Sequence, residues 1–117
     1  MGKFVIDRGS DDHYYFTLRS STGEVIFTSE KYYFKTACKN GIDTVRANAT
    51  NYLKYDLETT NDGKYYFKLK GSKGHIIGKS SVYESIEKRN NFVEIVKSAS
   101  PYANVIDQTH SPEFQAI

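Results

Sequence analysis

The chain has 117 residues, 15% of them aromatic, with 16 basic and 14 acidic side chains and a formal net charge of +2. One domain's length carrying ten tyrosines and seven phenylalanines excludes a disordered chain, and the near-balanced charge excludes an overwhelmingly cationic surface. A single cysteine, Cys38, excludes an internal disulfide and a thiolate metal cage, and it fits a reducing compartment.

Residues 4–8 predict a short strand, closed by the turn-formers Gly9-Ser10-Asp11-Asp12. No run near this end or elsewhere has the length and apolarity of a leader or a membrane span, so a soluble, cytoplasmic protein without a membrane partner is expected. Tyr14-Tyr15-Phe16-Thr17-Leu18-Arg19 follows, and Tyr14, Phe16 and Leu18 alternate with His13, Tyr15, Thr17 and Arg19. Such two-residue alternation predicts a half-buried strand with one face inward. Ser21-Thr22-Gly23 makes a tight turn into a return strand over 25–28. A helix is predicted over 35–49, with Ala37, Cys38, Ile42, Val45 and Ala49 on its apolar stripe and Phe34 as a weak cap.

The chain then writes the same unit again. Tyr65-Tyr66-Phe67-Lys68-Leu69-Lys70 repeats the first strand at an offset of 51 positions, and the offset holds without a gap from His13/Lys64 to Ala49/Ser100. Residues 55–59 match the opening strand, Asn61-Asp62-Gly63 the first turn, Ser72-Lys73-Gly74 the second, and 76–79 the return strand. The second helix is predicted over 86–99, capped by Ser85 and ended by Pro101, with Ile86, Val93 and Val96 inward. Val105-Ile106-Asp107 closes the unit. One domain over 1–117 therefore divides into repeat 3–54, repeat 55–107 and a loose tail over 108–117.

These residues carry a resemblance. Tyr-Tyr-Phe-x-Leu at 14–18 and 65–69, the Gly23 and Gly74 turns, Ser-x-x-Tyr at 29–32 and 80–83, Asn40-Gly41-Ile42 and the closing Val105-Ile106-Asp107 are similar to the YegP-like proteins, a family of unknown function. The resemblance implies an α+β fold in which two tandem strand-hairpin-helix-strand repeats form one antiparallel sheet. Two helices cover one face, and the C-terminal strands are exchanged between repeats. It brings no catalytic residues and no cofactor. The chain departs from the pattern at Asn91-Phe92-Val93, which replaces Asn-Gly-Ile, and at Phe34, which replaces a small polar cap.

The outward parity of the repeated strand is the most suggestive functional feature. It presents Lys64, Tyr66, Lys68 and Lys70 from the second copy and Tyr15 and Arg19 from the first, and residues 64–79 hold five lysines, one histidine and no acid. Cations interleaved with tyrosines suit a phosphate backbone with stacked bases. The competing account is that these lysines solvate the open face of the sheet. Asp11-Asp12-His13 does not have the spacing of a metal site, and Cys38 lies on an apolar stripe, as a buried structural cysteine does. Tyr32, Tyr83, Asn40 and Asn91 are expected to be structural, the tyrosines packing helices onto the sheet and the amides bonding nearby loops. The expectation is a non-catalytic module with no cofactor and no metal, whose partner is another protein or a second copy. The rival is a weak, sequence-tolerant nucleic-acid binder.

Overall fold

Two chemically similar hairpin units build the sheet, and the computed structural model describes residues 2–109 of the chain. In the first unit, β1 (Lys3–Arg8) pairs antiparallel with β2 (Tyr14–Arg19), which pairs with β3 (Val25–Ser29). In the second, β4 (Tyr55–Thr59), β5 (Tyr65–Lys70) and β6 (Ile76–Ser80) repeat the pattern. Gly23, Gly63 and Gly74 take φ values of 92°, 81° and 73°, the left-handed conformation their turns demand. Helices α1 (Lys35–Asn48) and α2 (Ile86–Ala99) follow their hairpins, and β7 (Asn104–Asp107) is the last element among the described residues. Ser85 caps α2, its hydroxyl accepting from the Lys88 N–H at 3.0 Å, whereas Phe34 gives α1 no side-chain cap.

All seven strands join one sheet in the order β4-β5-β6-β3-β2-β1-β7. A pseudo-twofold axis runs between β3 and β6, where Thr28 faces Lys79 and the pairs Phe27/Ser80 and Ser29/Gly78 exchange under the repeat offset. The chain passes between the repeats at both ends: the strand that follows α1, β4, lies against β5 of the second repeat, and the strand that follows α2, β7, returns to the first repeat and lies against β1. One correction concerns strand direction. The β1–β7 pairing is parallel, so the sheet is mixed rather than wholly antiparallel. The reason is positional. Beside β2, the place symmetry would assign to β7 is already filled by β1, leaving β7 the outer side of β1.

The core lies between the sheet and the two helices. Rings run through it from strand to strand, with Phe4 against Phe16 at 5.8 Å, Phe16 and Phe27 at 6.5 Å, Phe27 and Phe67 at 6.5 Å, and Phe67 and Tyr55 at 5.7 Å. At the seam the two repeats differ by design of volume. Phe27 is fully buried, and its counterpart is Gly78, where a Cβ would stand 2.8 Å from the Phe27 ring. Two phenylalanines could not share that space at native packing density. The repeated Ser29 and Ser80 also have a definite job. Each hydroxyl accepts a buried strand N–H, from Phe16 and from Phe67, both at 2.9 Å.

Several side chains sit differently from their expected places. Ile86, read as inward, is 50% exposed, while Arg89 is buried at the position matching Cys38. The Arg89 guanidinium stays satisfied there by lying over the Tyr65 ring and donating to the Glu58 carbonyl at 3.3 Å. Thr17 and His13, read as outward, are buried. Arg19 folds back over Thr17, its Nε donating to the hydroxyl at 3.0 Å, and His13 is held by Asp11. Asn40 and Asn91 face solvent instead of bonding loops. Tyr32 and Tyr83 pack as expected, by different means. Tyr32 stacks on Phe16 with its hydroxyl over Gly41, whereas Phe92 fills the glycine's place in α2 and stacks on Tyr83 at 4.6 Å. Of the tail read as loose, Gln108 and Thr109 are tied down. The Gln108 N–H donates to the Ile6 carbonyl at 2.9 Å, and the Thr109 N–H donates to the Asp107 carboxylate at 2.9 Å. The rest of that tail, 110–117, lies outside the described residues.

Candidate interaction surface

The face of the sheet away from the helices carries the predicted cationic and tyrosine set, Lys64, Tyr66, Lys68, Lys70, Tyr15 and Arg19. One row of side chains crosses all seven strands: Asp56, Lys68, Lys79, Thr28, Thr17, Val5 and Ile106. Its second-repeat half is charged and its first-repeat half is not. Lys64, Tyr66, Lys68 and Lys70 stand together along β5, while Tyr15 and Arg19 stand on β2, with β6 and β3 between. Strand spacing puts about 14 Å between the two groups.

Acids from neighbouring elements neutralise most of this cationic set. Lys70 pairs with Asp56 at 3.0 Å, Lys64 with Glu84 at 3.5 Å, and Arg19 with Asp7 at 3.5 Å. Tyr66 and Tyr15 each face a carboxylate across the ladder, Glu58 and Asp7 respectively. Lys68 is the exception. It faces Lys79 directly on the next strand, and among the described residues neither lysine has an ion-pair partner. The parity argument missed these acids and also missed Lys79. Counting outward from the Asn61-Asp62-Gly63 turn would have found Asp56 and Glu58, because the hairpin register follows from the turn.

Other candidate groups are engaged elsewhere. Asp12 pairs with Arg8 at 2.6 Å, and Asp11 with Lys31 at 3.2 Å and with His13. The Cys38 thiol is fully buried, and burial together with the nearby Asp107 charge pushes it up to about 11. A thiol so protonated near neutral pH is a poor nucleophile.

The two edges of the sheet are unlike. The β1 edge is covered by β7, and β7 is anchored to α1: Lys35 pairs with Asp107 at 2.9 Å, and the Arg46 guanidinium donates to the Ala103 carbonyl. For Asp107, burial alone would raise the carboxyl. Hydrogen bonds from the Thr109 hydroxyl and Lys35 outweigh it and hold the group at about 2. At the opposite edge, β4 has only β5 beside it among the described residues. The Thr60 N–H donates to Lys64 at 2.8 Å, so Glu58 and Asp56 make the ladder bonds to β5. By the antiparallel alternation, the N–H and C=O of Leu57 and Thr59 point outward.

Comparison with known proteins places the chain among proteins of like length. The model of a domain of unknown function, DUF1508, matches it twice, over residues 10–56 and 61–107. The UPF0339 protein YegP of Escherichia coli K12 is 36% identical over 108 residues, covering 92% of this chain and 98% of that protein. A UPF0339 protein of Bordetella pertussis is 37% identical over 110 residues, covering 94% and 98%. Two solution NMR structures share the fold. A UPF0339 protein of Shewanella oneidensis superposes with a TM-score of 0.86 at 34% identity, over 91% of this chain and 90% of that one. The E. coli yegP protein, a protein of unknown function, superposes with a TM-score of 0.87 at 36% identity over 92% of each chain.

Proposed function

The chain belongs to the DUF1508 family, carrying its domain twice, and on that premise we propose that it is a non-catalytic interaction module whose ligand is another protein. One observation carries this reading: among the described residues, the sheet covers one edge with β7 and has no strand on the outer side of the other, β4, whose outward backbone donors and acceptors are left for a partner. An uncovered edge strand is a template for a further strand. The engagement of Asp11, Asp12 and His13 with one another's neighbours, and the burial of Cys38, support a role without catalysis. The reducing cytoplasm is the compartment that suits one unpaired, buried thiol.

The test is affinity capture followed by reconstitution of the captured protein from purified components, with sedimentation of the module alone. Stoichiometric binding that survives moderate salt is expected. A module that stays monomeric and binds no reconstituted protein would overturn the reading.

One observation favours the nucleic-acid rival. Lys68 and Lys79 stand directly opposite one another, an arrangement that costs stability and that a polyanion would relieve. Titration of labelled single-stranded DNA and RNA at two salt concentrations, with Lys68→Glu/Lys79→Glu beside the parent, decides it. Steeply salt-dependent binding that the variant loses would transfer the function to this face.

A further inference from the structure

Resting on that reading, we propose that the open β4 edge takes up an extended segment of the partner protein, parallel to β4, in which apolar and basic residues alternate. The molecule supplies its own template for this arrangement. On the other side of the pseudo-twofold axis, β7 runs parallel to β1 with Lys3 opposite Asn104, Phe4 opposite Val105, Val5 opposite Ile106 and Ile6 opposite Asp107. The repeat offset turns Lys3, Phe4, Val5 and Ile6 into Lys54, Tyr55, Asp56 and Leu57. The Ile6 carbonyl accepts from Gln108, and Leu57 holds the matching outward carbonyl with no strand beside it among the described residues.

Chemistry along the groove defines the guest. The position matching Val105 lies on the helix side, where Val105 and Ile42 line the same hollow, and it calls for an apolar residue. Asp107 is matched to Lys35 of α1, but the corresponding residue of α2 is Ile86, 50% exposed, and Leu57 beside it is 38% exposed. The guest's residue there is therefore apolar, not acidic. The intervening positions fall on the solvent face, beside Asp56 and then Glu58. Glu58 has no ion-pair partner among the described residues. Basic residues complement that side.

A second copy of this chain fits poorly. Its β7 would set Asp107 against Ile86 and Ile106 against Asp56. Antiparallel pairing of two β4 strands about Leu57 would set Asp56 opposite Glu58, a repulsive like-charge pair. The guest is a different protein.

The test titrates isotopically labelled full-length protein with two short blocked peptides, one alternating valine with arginine and one alternating valine with glutamate. The arginine peptide is expected to shift the backbone amides of Leu57, Thr59 and Ile86 and to bind at least about tenfold tighter than its acidic counterpart. Leu57→Pro is expected to abolish this binding. Its N–H points outward, so proline removes no bond to β5. Glu58→Lys, which leaves the backbone edge intact, is expected to erase the preference for arginine. Equal affinity for both peptides, shifts centred on Lys68 and Lys79, binding undiminished in Leu57→Pro, or dimerisation through β4 on sedimentation would each overturn the proposal. A captured partner that still binds Leu57→Pro would sink this inference while leaving the interaction module standing. Absence of any partner would remove the broader reading itself.

Discussion

Substituting Gly78 with alanine tests how the two repeats are fitted together at the seam. The new Cβ would stand 2.3 Å from the Thr28 carbonyl oxygen and 2.8 Å from two Phe27 ring carbons. Carbon atoms rest about 3.5–4.0 Å apart, so the ring must retreat by roughly 1 Å. The Thr28 carbonyl is backbone and has no rotamer to escape into. Overpacking of this kind costs about 1–3 kcal/mol, while removing a glycine from the unfolded chain returns about 0.4–1 kcal/mol. Taking the middle of each range, a net loss of about 1.3 kcal/mol follows, lowering Tm by roughly 4–8 °C for a domain of this size. Urea unfolding followed by tyrosine fluorescence and far-UV circular dichroism reads the loss. Phe27→Ala alone should cost about 3–5 kcal/mol through the cavity it leaves. The double variant Phe27→Ala/Gly78→Ala should fall short of the sum by at least about 0.5 kcal/mol, because the ring that crowds the alanine is gone. A Gly78→Ala protein as stable as the parent, or strictly additive losses, would refute the reasoning.

Ser29→Ala and Ser80→Ala each strand a buried strand N–H, that of Phe16 or Phe67, and each should cost about 1–3 kcal/mol in the same unfolding assay. A loss below a few tenths would show that another acceptor takes the proton. Cys38 should resist a thiol-reactive disulfide reagent at pH 8 and react fully once urea unfolds the chain. Rapid labelling of the folded protein would contradict its burial. Asp107 has a folded value of about 2 against an ordinary 3.8, so its anchoring of β7 is complete above about pH 4 and lost as pH falls through 2. Amide exchange along β7 should rise in that window, and Asp107→Asn should remove the pH dependence. An unchanged profile would mean that the ladder to β1 holds the strand alone.

Much of this fold is written in local pattern. The alternation around Phe16 and Phe67, the turn glycines and the Ser85–Pro101 bracket on α2 each depend on neighbours in sequence, and the elements fall where those signals stand. What pattern does not carry is the choice among distant partners. The parallel course of β7 follows from β1 occupying the place beside β2, a competition between strands 100 residues apart. Arg89 reads as a surface residue on a helix that has lost its Cys38 equivalent, and its burial depends on Tyr65 and the Glu58 carbonyl lying within reach. The cationic row is the instructive case. Side-chain parity identified the face, but Asp56, Glu84 and Asp7 come from other elements and cancel much of its charge. Exposed strand edges were to be expected of such a sheet, but which edge has no neighbour among the described residues emerges only by comparison with the one that β7 covers.

Ile6 and Leu57 are equivalent residues of the two repeats, one beside β7 and one at the edge with no further strand among the described residues, and hydrogen exchange of their amides tests the central claim most directly. In the free monomer the Ile6 amide should be strongly protected and the Leu57 amide should exchange at least about 100-fold faster, since exchange tracks local opening. Addition of the edge ligand should slow Leu57 and leave Ile6 unchanged. A Leu57 amide as protected as Ile6 in the free monomer would mean that the β4 edge is already closed, and the interaction site would have to lie elsewhere.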